Sequence, residues 1–131
     1  ERSQGICEGK PRDSSYNEMI AKWEKLSAKD KFYTPQLSTG ETNHEVVLRA
    51  FSDLSKIMEL HPNVTIILVS HYATLNAMAL NWSHQIEQLS EEPETPLPKI
   101  VFNNCDILKV EVPQNGTIED AKVTMHIKTG V

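Results

Sequence analysis

At 131 residues, with 39 % apolar and 24 % charged side chains, the chain suits one domain with one sizeable core, and it is too rich in aliphatic residues to be a disordered tail. Thirteen basic residues against eighteen acidic ones leave a formal charge of −5. That balance argues against a nucleic-acid partner, so any phosphate-handling site must be local. No apolar run approaches the roughly 18 residues that a membrane-spanning helix needs.

Residues 1–13 are polar, carry Gly5, Gly9 and Pro11, and read as a loop. A first helix is predicted from about Ser15 to Ala28, with Met19, Ile20, Trp23 and Leu26 on one face. The pattern breaks between Lys29 and Gly40. Thr42-Asn43-His44-Glu45 is a capping box that opens a second helix. Val47, Ala50, Phe51, Leu54, Ile57 and Met58 form its stripe, and Pro62 stops it near Glu59 to His61. Val64 to Val69 is apolar without alternation and rich in β-branched residues, which predicts a strand buried on both faces of a parallel sheet. It ends at Ser70-His71, and a third helix follows with Leu75, Met78, Ala79 and Trp82 on one side. Strand, polar pair and helix make half of a βαβ unit.

Residues 83–99 carry three prolines and read as a surface loop or a frayed helix end. Ile100 to Phe102 and Ile107 to Val112 are predicted as short strands. The turn signal Gln114-Asn115-Gly116-Thr117 brings Val123 to Ile127 back as a hairpin partner. No repeat or internal boundary interrupts the chain, which reads as a single domain over 1–131.

His71 is the first candidate for chemistry. Ligands of open α/β sheets sit beyond the carboxyl ends of strands, at the following helix N-termini. The amides of Tyr72, Ala73 and Thr74 would be free first-turn donors there, and an anion is their natural ligand. Spacing alone equally allows His71 to cap the helix or fill space. The opening loop is the second candidate, because Gly5 and Gly9 let backbone approach a ligand closely among charges of both signs. His44, His61, His84 and His126 show no metal-ligand spacing, so neither metal nor cofactor is expected. Cys7 and Cys105, two thiols far apart, make no disulfide framework; reduced thiols and a cytoplasmic location are expected. The three N-x-[ST] patterns at Asn63, Asn81 and Asn115 are read as chance.

These residues combine in a resemblance. Residues 1–10, Glu-Arg-Ser-Gln-Gly-Ile-Cys-Glu-Gly-Lys, are similar to the E-R-x-x-G-x-x-E-G loop of the histidine phosphatase superfamily, the phosphoglycerate mutase-like family. Gly40-Glu41-Thr42 with Arg49 resembles its G-E-[ST] helix start and the arginine nine residues after the glycine. Val69-Ser70-His71 resembles its second-histidine motif, and Asn103 an asparagine often found before a following strand. The likeness covers roughly residues 1–112, and the small insert before the G-E-[ST] start resembles phosphatase branches, such as fructose-bisphosphatase-type members, more than the large glycolytic mutases.

The resemblance implies a three-layer α/β sandwich with a mostly parallel central sheet flanked by helices. It also implies metal-independent phosphatase chemistry on a small phosphorylated metabolite, through a phosphohistidine. Glu1 matches the general acid/base and His71 the second histidine. Arg2 and Arg12 match substrate contacts, while Tyr72 and Ala73 lie at the same helix start. The R-H-G motif with the nucleophile, its strand and the following helix belong before Glu1, so the chain is expected to be the C-terminal portion of a longer protein. Substrate or inorganic phosphate is the expected partner, with a homodimer through a sheet edge as a further possibility. Tyr72 replaces the usual glycine, and Asn76 stands where arginine is frequent. A weak or inactive phospho-ligand-binding member and a mutase are the alternatives.

Overall fold

A computed structural model describes residues 2–100 and 102–130. Helix α1 spans Ser14–Glu24, with the Asp13 carboxylate accepting from the Tyr16 amide as its N-cap. The expected helix to Ala28 stops four residues early. Ser27, whose hydroxyl accepts from the Asp30 amide at 3.0 Å, opens a separate helix α2, Ala28–Tyr33. Two caps therefore split one apolar pattern into two helices. Helix α3, Asn43–Leu60, begins at the expected capping box: Thr42 Oγ1 accepts from the Glu45 amide, and Glu45 accepts from the Thr42 amide. Helix α4 spans Tyr72–Trp82.

The core forms where α3 packs on α4, with α2 against α3. Val47, Phe51 and Leu54 meet Met78, Leu80 and Trp82 there. The Phe51 and Trp82 rings stack with centroids 5.5 Å apart. The hairpin strands are β1, Ile107–Glu111, and β2, Lys122–Ile127, antiparallel with an irregularity between Lys109 and Val110. Leu108, Val110 and Val123 turn one face to the core, and the turn closes with the Gly116 amide on the Pro113 carbonyl. Between turn and β2 lies a 3-10 turn, Ile118–Asp120, that the sequence did not signal. Ile118 is buried, and its carbonyl accepts from the Trp82 indole at 3.0 Å.

Residues 83–99 are not a loose loop. The Lys31 side chain is buried, donates to the Thr95 carbonyl at 3.0 Å and lies 3.5 Å from Glu24. Lys29 donates its amide to Ser90 and pairs with Glu91, and Leu89 enters the core. A buried ammonium needs such partners, so Lys31 ties the segment to α2.

The sheet differs most from expectation. The one sheet among the described residues is the two-stranded hairpin; no parallel central sheet appears there. Val64 to Val69 carries no strand ladder. Exposure still alternates along it: Ile66 and Leu68 are 38 % and 46 % exposed, Ile67 and Val69 87 % and 89 %. The local pattern belongs to a strand, but a ladder needs a second chain segment, and none of the described residues supplies it. Ile100 and Phe102 form no strand either; Val101 lies outside the described residues. The Ile100 amide instead donates to Asn76 Oδ1 at 2.8 Å.

Candidate active site

The opening loop is fastened to the start of α3 by backbone and side chains together. The Glu41 amide donates to the Ser3 carbonyl at 2.8 Å, and the Ser3 amide donates to Glu41 Oε2 at 3.2 Å. The Ile6 amide donates to Thr39 Oγ1 at 2.9 Å. Glu8 closes the loop on itself, accepting from the Ser3 hydroxyl at 2.8 Å and the Gln4 amide at 3.1 Å. This packing explains two motif glycines. Gly5 has φ +57°, and a Cβ there would sit 2.5 Å from the Thr39 carbonyl carbon and oxygen. A Cβ on Gly40 would sit 3.0 Å from the Ser3 oxygen. Only hydrogen atoms fit where the two loops meet.

Arg2 lies half-buried in this junction. Its Nη2 donates to Gln36 Oε1 at 3.0 Å and its Nη1 to Asn43 Oδ1 at 3.3 Å. Burial pushes its pKa below the ordinary arginine value, with Glu41 and then Tyr16 opposing the shift. The guanidinium stays cationic at any working pH. Beside it lies a cavity of about 30 Å³, lined by Arg2, Ser3, Gln4, Tyr16, Gln36, Leu37, Gly40 and Glu41. That is room for water rather than for a phosphate ester. Arg12 is exposed, with its guanidinium 5.5 Å from the centre of the Tyr16 ring. Tyr16 therefore neighbours both arginines.

Arg49 reaches back from the second turn of α3. Its Nε donates to Glu41 Oε1 at 2.8 Å and its Nη2 to Glu41 Oε2 at 3.0 Å, a two-point fork. The fork holds the Glu41 carboxyl below its ordinary pKa; burial opposes that, and the Ser3 amide adds to it. Glu41 in turn raises the pKa of Arg49.

His71 occupies the N-cap position of α4 with extended backbone, φ −98° and ψ 156°. Its ring does not cap the helix, so that alternative is removed. It is exposed, and it makes no hydrogen bond, ion pair or ring contact with the described residues. The first helical bond runs from the Leu75 amide to the His71 carbonyl at 3.0 Å, and the amides of Tyr72, Ala73 and Thr74 find no acceptor among the described residues. Thr74 is buried, and its Oγ1 likewise has no partner there. Ala73 is exposed. Tyr72 is half-exposed and meets Phe102 edge-on at 6.2 Å. Phe102 lies 5.3 Å from the His126 ring, and His126 Nε2 lies 3.3 Å from Asp106 Oδ2. A file of rings thus runs from the α4 start to the hairpin. Asn76 clamps the segment before β1, donating to the Pro98 carbonyl at 3.4 Å while accepting from Ile100.

The structure brings Arg2 and Arg12 to the same residue, Tyr16. No described contact joins them to His71, which is not among the residues lining the Arg2 cavity. Glu1 lies outside the described residues. Gln36 and Asn43, the partners of Arg2, went unpredicted, because their contacts span 34 and 41 residues. No group of three or more potential metal ligands occurs among the described residues, and no described helix is long and apolar enough to cross a membrane.

A family model, histidine phosphatase superfamily (branch 1), matches residues 1–120. The chain belongs to that superfamily. Neither the curated proteins nor the solved structures contain a match to it.

Proposed function

We propose that the protein is a metal-independent phosphatase acting on small phosphorylated metabolites through a phosphohistidine. The superfamily match over residues 1–120 carries this reading. The R-H-G motif with the nucleophilic histidine and the second phosphate arginine lie upstream of Glu1. The strand that carries the nucleophile lies beside Val64 to Val69, completing a parallel sheet across the otherwise exposed aliphatic edge. Glu1 protonates the leaving oxygen and then activates water. His71 donates to a phosphoryl oxygen together with the unpaired first-turn amides of α4, charge stabilisation that requires no metal. Arg2, already cationic and oriented, and Arg12 take the rest of the substrate.

The test uses the full-length protein with a phosphomonoester, reading phosphate release and acid-labile phosphohistidine. His71→Ala is expected to lower kcat about a hundredfold or more. No release by the wild type, or full activity in His71→Ala, overturns the reading.

Tyr72, half-exposed at the same helix start, favours a second reading, a member that binds a phosphorylated ligand without turnover. Under it, inorganic phosphate raises the melting temperature while hydrolysis stays absent.

A further inference from the structure

Three N–H donors converge on one carboxylate. Glu41 takes the two-point fork of Arg49, accepts from the Ser3 amide, and through its own amide bonds the Ser3 carbonyl. Both polar groups of the Ser3 backbone are thereby fixed by a single residue of the α3 leader. Ser3 directly follows Arg2, so the frame of this loop end rests on Glu41. The Glu41 side chain is 15 % exposed, whereas that of Arg49 is 47 % exposed. The fork thus spans from the surface to a nearly covered carboxylate. It selects the one rotamer of Glu41 that can also receive the Ser3 amide. Lysine offers a point charge and cannot hold both oxygens at once.

Resting on the phosphatase reading above, we propose that Glu41 and Arg49 are positioning residues, which set the Arg2–Ser3 end of the opening loop for the reaction without touching substrate. The spacing between them follows from the helix. Glu41 precedes the Thr42 cap, and Arg49 lies two turns on, on the face that looks back toward the helix start. A capping box between them fixes the distance the fork must bridge. Alignment of reacting groups is steep in distance, so a small drift of this loop end reaches catalysis even though the fork is remote from phosphorus.

The test compares wild type, Arg49→Met, Arg49→Lys and Glu41→Gln in the full-length protein, by p-nitrophenyl phosphate hydrolysis well below each melting temperature. Arg49→Met is expected to lower kcat about tenfold to a hundredfold, with a smaller rise in KM, because alignment at the loop end is lost more than the ester is released. Arg49→Lys recovers part of kcat, since one charged contact survives. Glu41→Gln behaves like Arg49→Met if it folds; Arg49, half-exposed, supplies the decision if it does not. A purely structural role would lower the melting temperature and leave kcat per folded molecule unchanged. Wild-type hydrolysis with unaltered kcat and KM in Arg49→Met overturns the positioning role alone. A wild type that does not hydrolyse the ester, whether or not it binds inorganic phosphate, overturns the phosphatase reading, and the inference with it.

Discussion

Truncating Ile67 to alanine probes the sheet on which the proposed site depends. Ile67 and Val69 form the more exposed, outward face of this segment, while Ile66 and Leu68 are about half as exposed. If that outward face is free in the full-length protein, Ile67→Ala removes methyl groups that already touch water, and stability changes by less than about 0.5 kcal/mol. If a parallel strand pairs with Val64 to Val69 and a helical layer covers it, the same truncation opens a core cavity and costs about 2–5 kcal/mol. The two outcomes differ by about tenfold or more in the folded-to-unfolded ratio, from roughly 1.4 kcal/mol per tenfold. Urea unfolding of the full-length protein reads the difference as a lower midpoint at unchanged m-value. Val69→Ala, on the same face, follows Ile67→Ala, whereas Lys56→Ala on the exposed side of α3 stays near zero. A neutral Ile67→Ala refutes the covered sheet, and the placement of the nucleophile strand beside His71 falls with it.

Trp82→Phe loses the bond to the Ile118 carbonyl and part of the ring that stacks on Phe51. That carbonyl keeps the Ala121 amide at 3.2 Å, so the loss is expected near 2 kcal/mol in urea unfolding rather than the larger cost of an orphaned buried group. Asn76→Ala frees the Ile100 amide; a cost of about 1 kcal/mol and faster hydrogen exchange at Ile100 are expected, and unchanged exchange counts against the clamp. Because the Glu41 carboxyl is depressed in the folded state, its contribution is present above the ordinary carboxylate range and is lost as pH falls through the lowered value. Wild type and Glu41→Gln should therefore converge in stability in acid and separate toward neutral pH, as read by thermal unfolding.

Local chemistry was legible where neighbours in sequence decide it. The Thr42 capping box opens α3, and Pro62 follows its end. The Asn115-Gly116 turn returns β2 to β1, and the apolar spacing of α3 and α4 identifies the faces that pack. The motif residues placed the chain in its superfamily, and the structure supplies the physical reason for two of them, since Gly5 and Gly40 lie where backbone meets backbone. The Ser27-Ala28-Lys29-Asp30 cap was also on display and passed unread, which is why α1 and α2 appeared as one helix. Asn76, which by sequence is a departure from the family pattern, is a strut for the segment before β1.

Sequence by itself determined the elements governed by bonds between near neighbours: caps, turns and amphipathic faces. Tertiary structure alone decided the contacts that close distant loops. Arg2 meets Gln36 and Asn43, Ser3 meets Glu41, and the Trp82 indole finds the Ile118 carbonyl. It also decided that Val64 to Val69, strand-like in every local respect, carries no ladder among the described residues. The reason is the same in each case. A side-chain pattern can state which backbone conformation is cheap, but a hydrogen bond between remote segments forms only where packing brings donor and acceptor together.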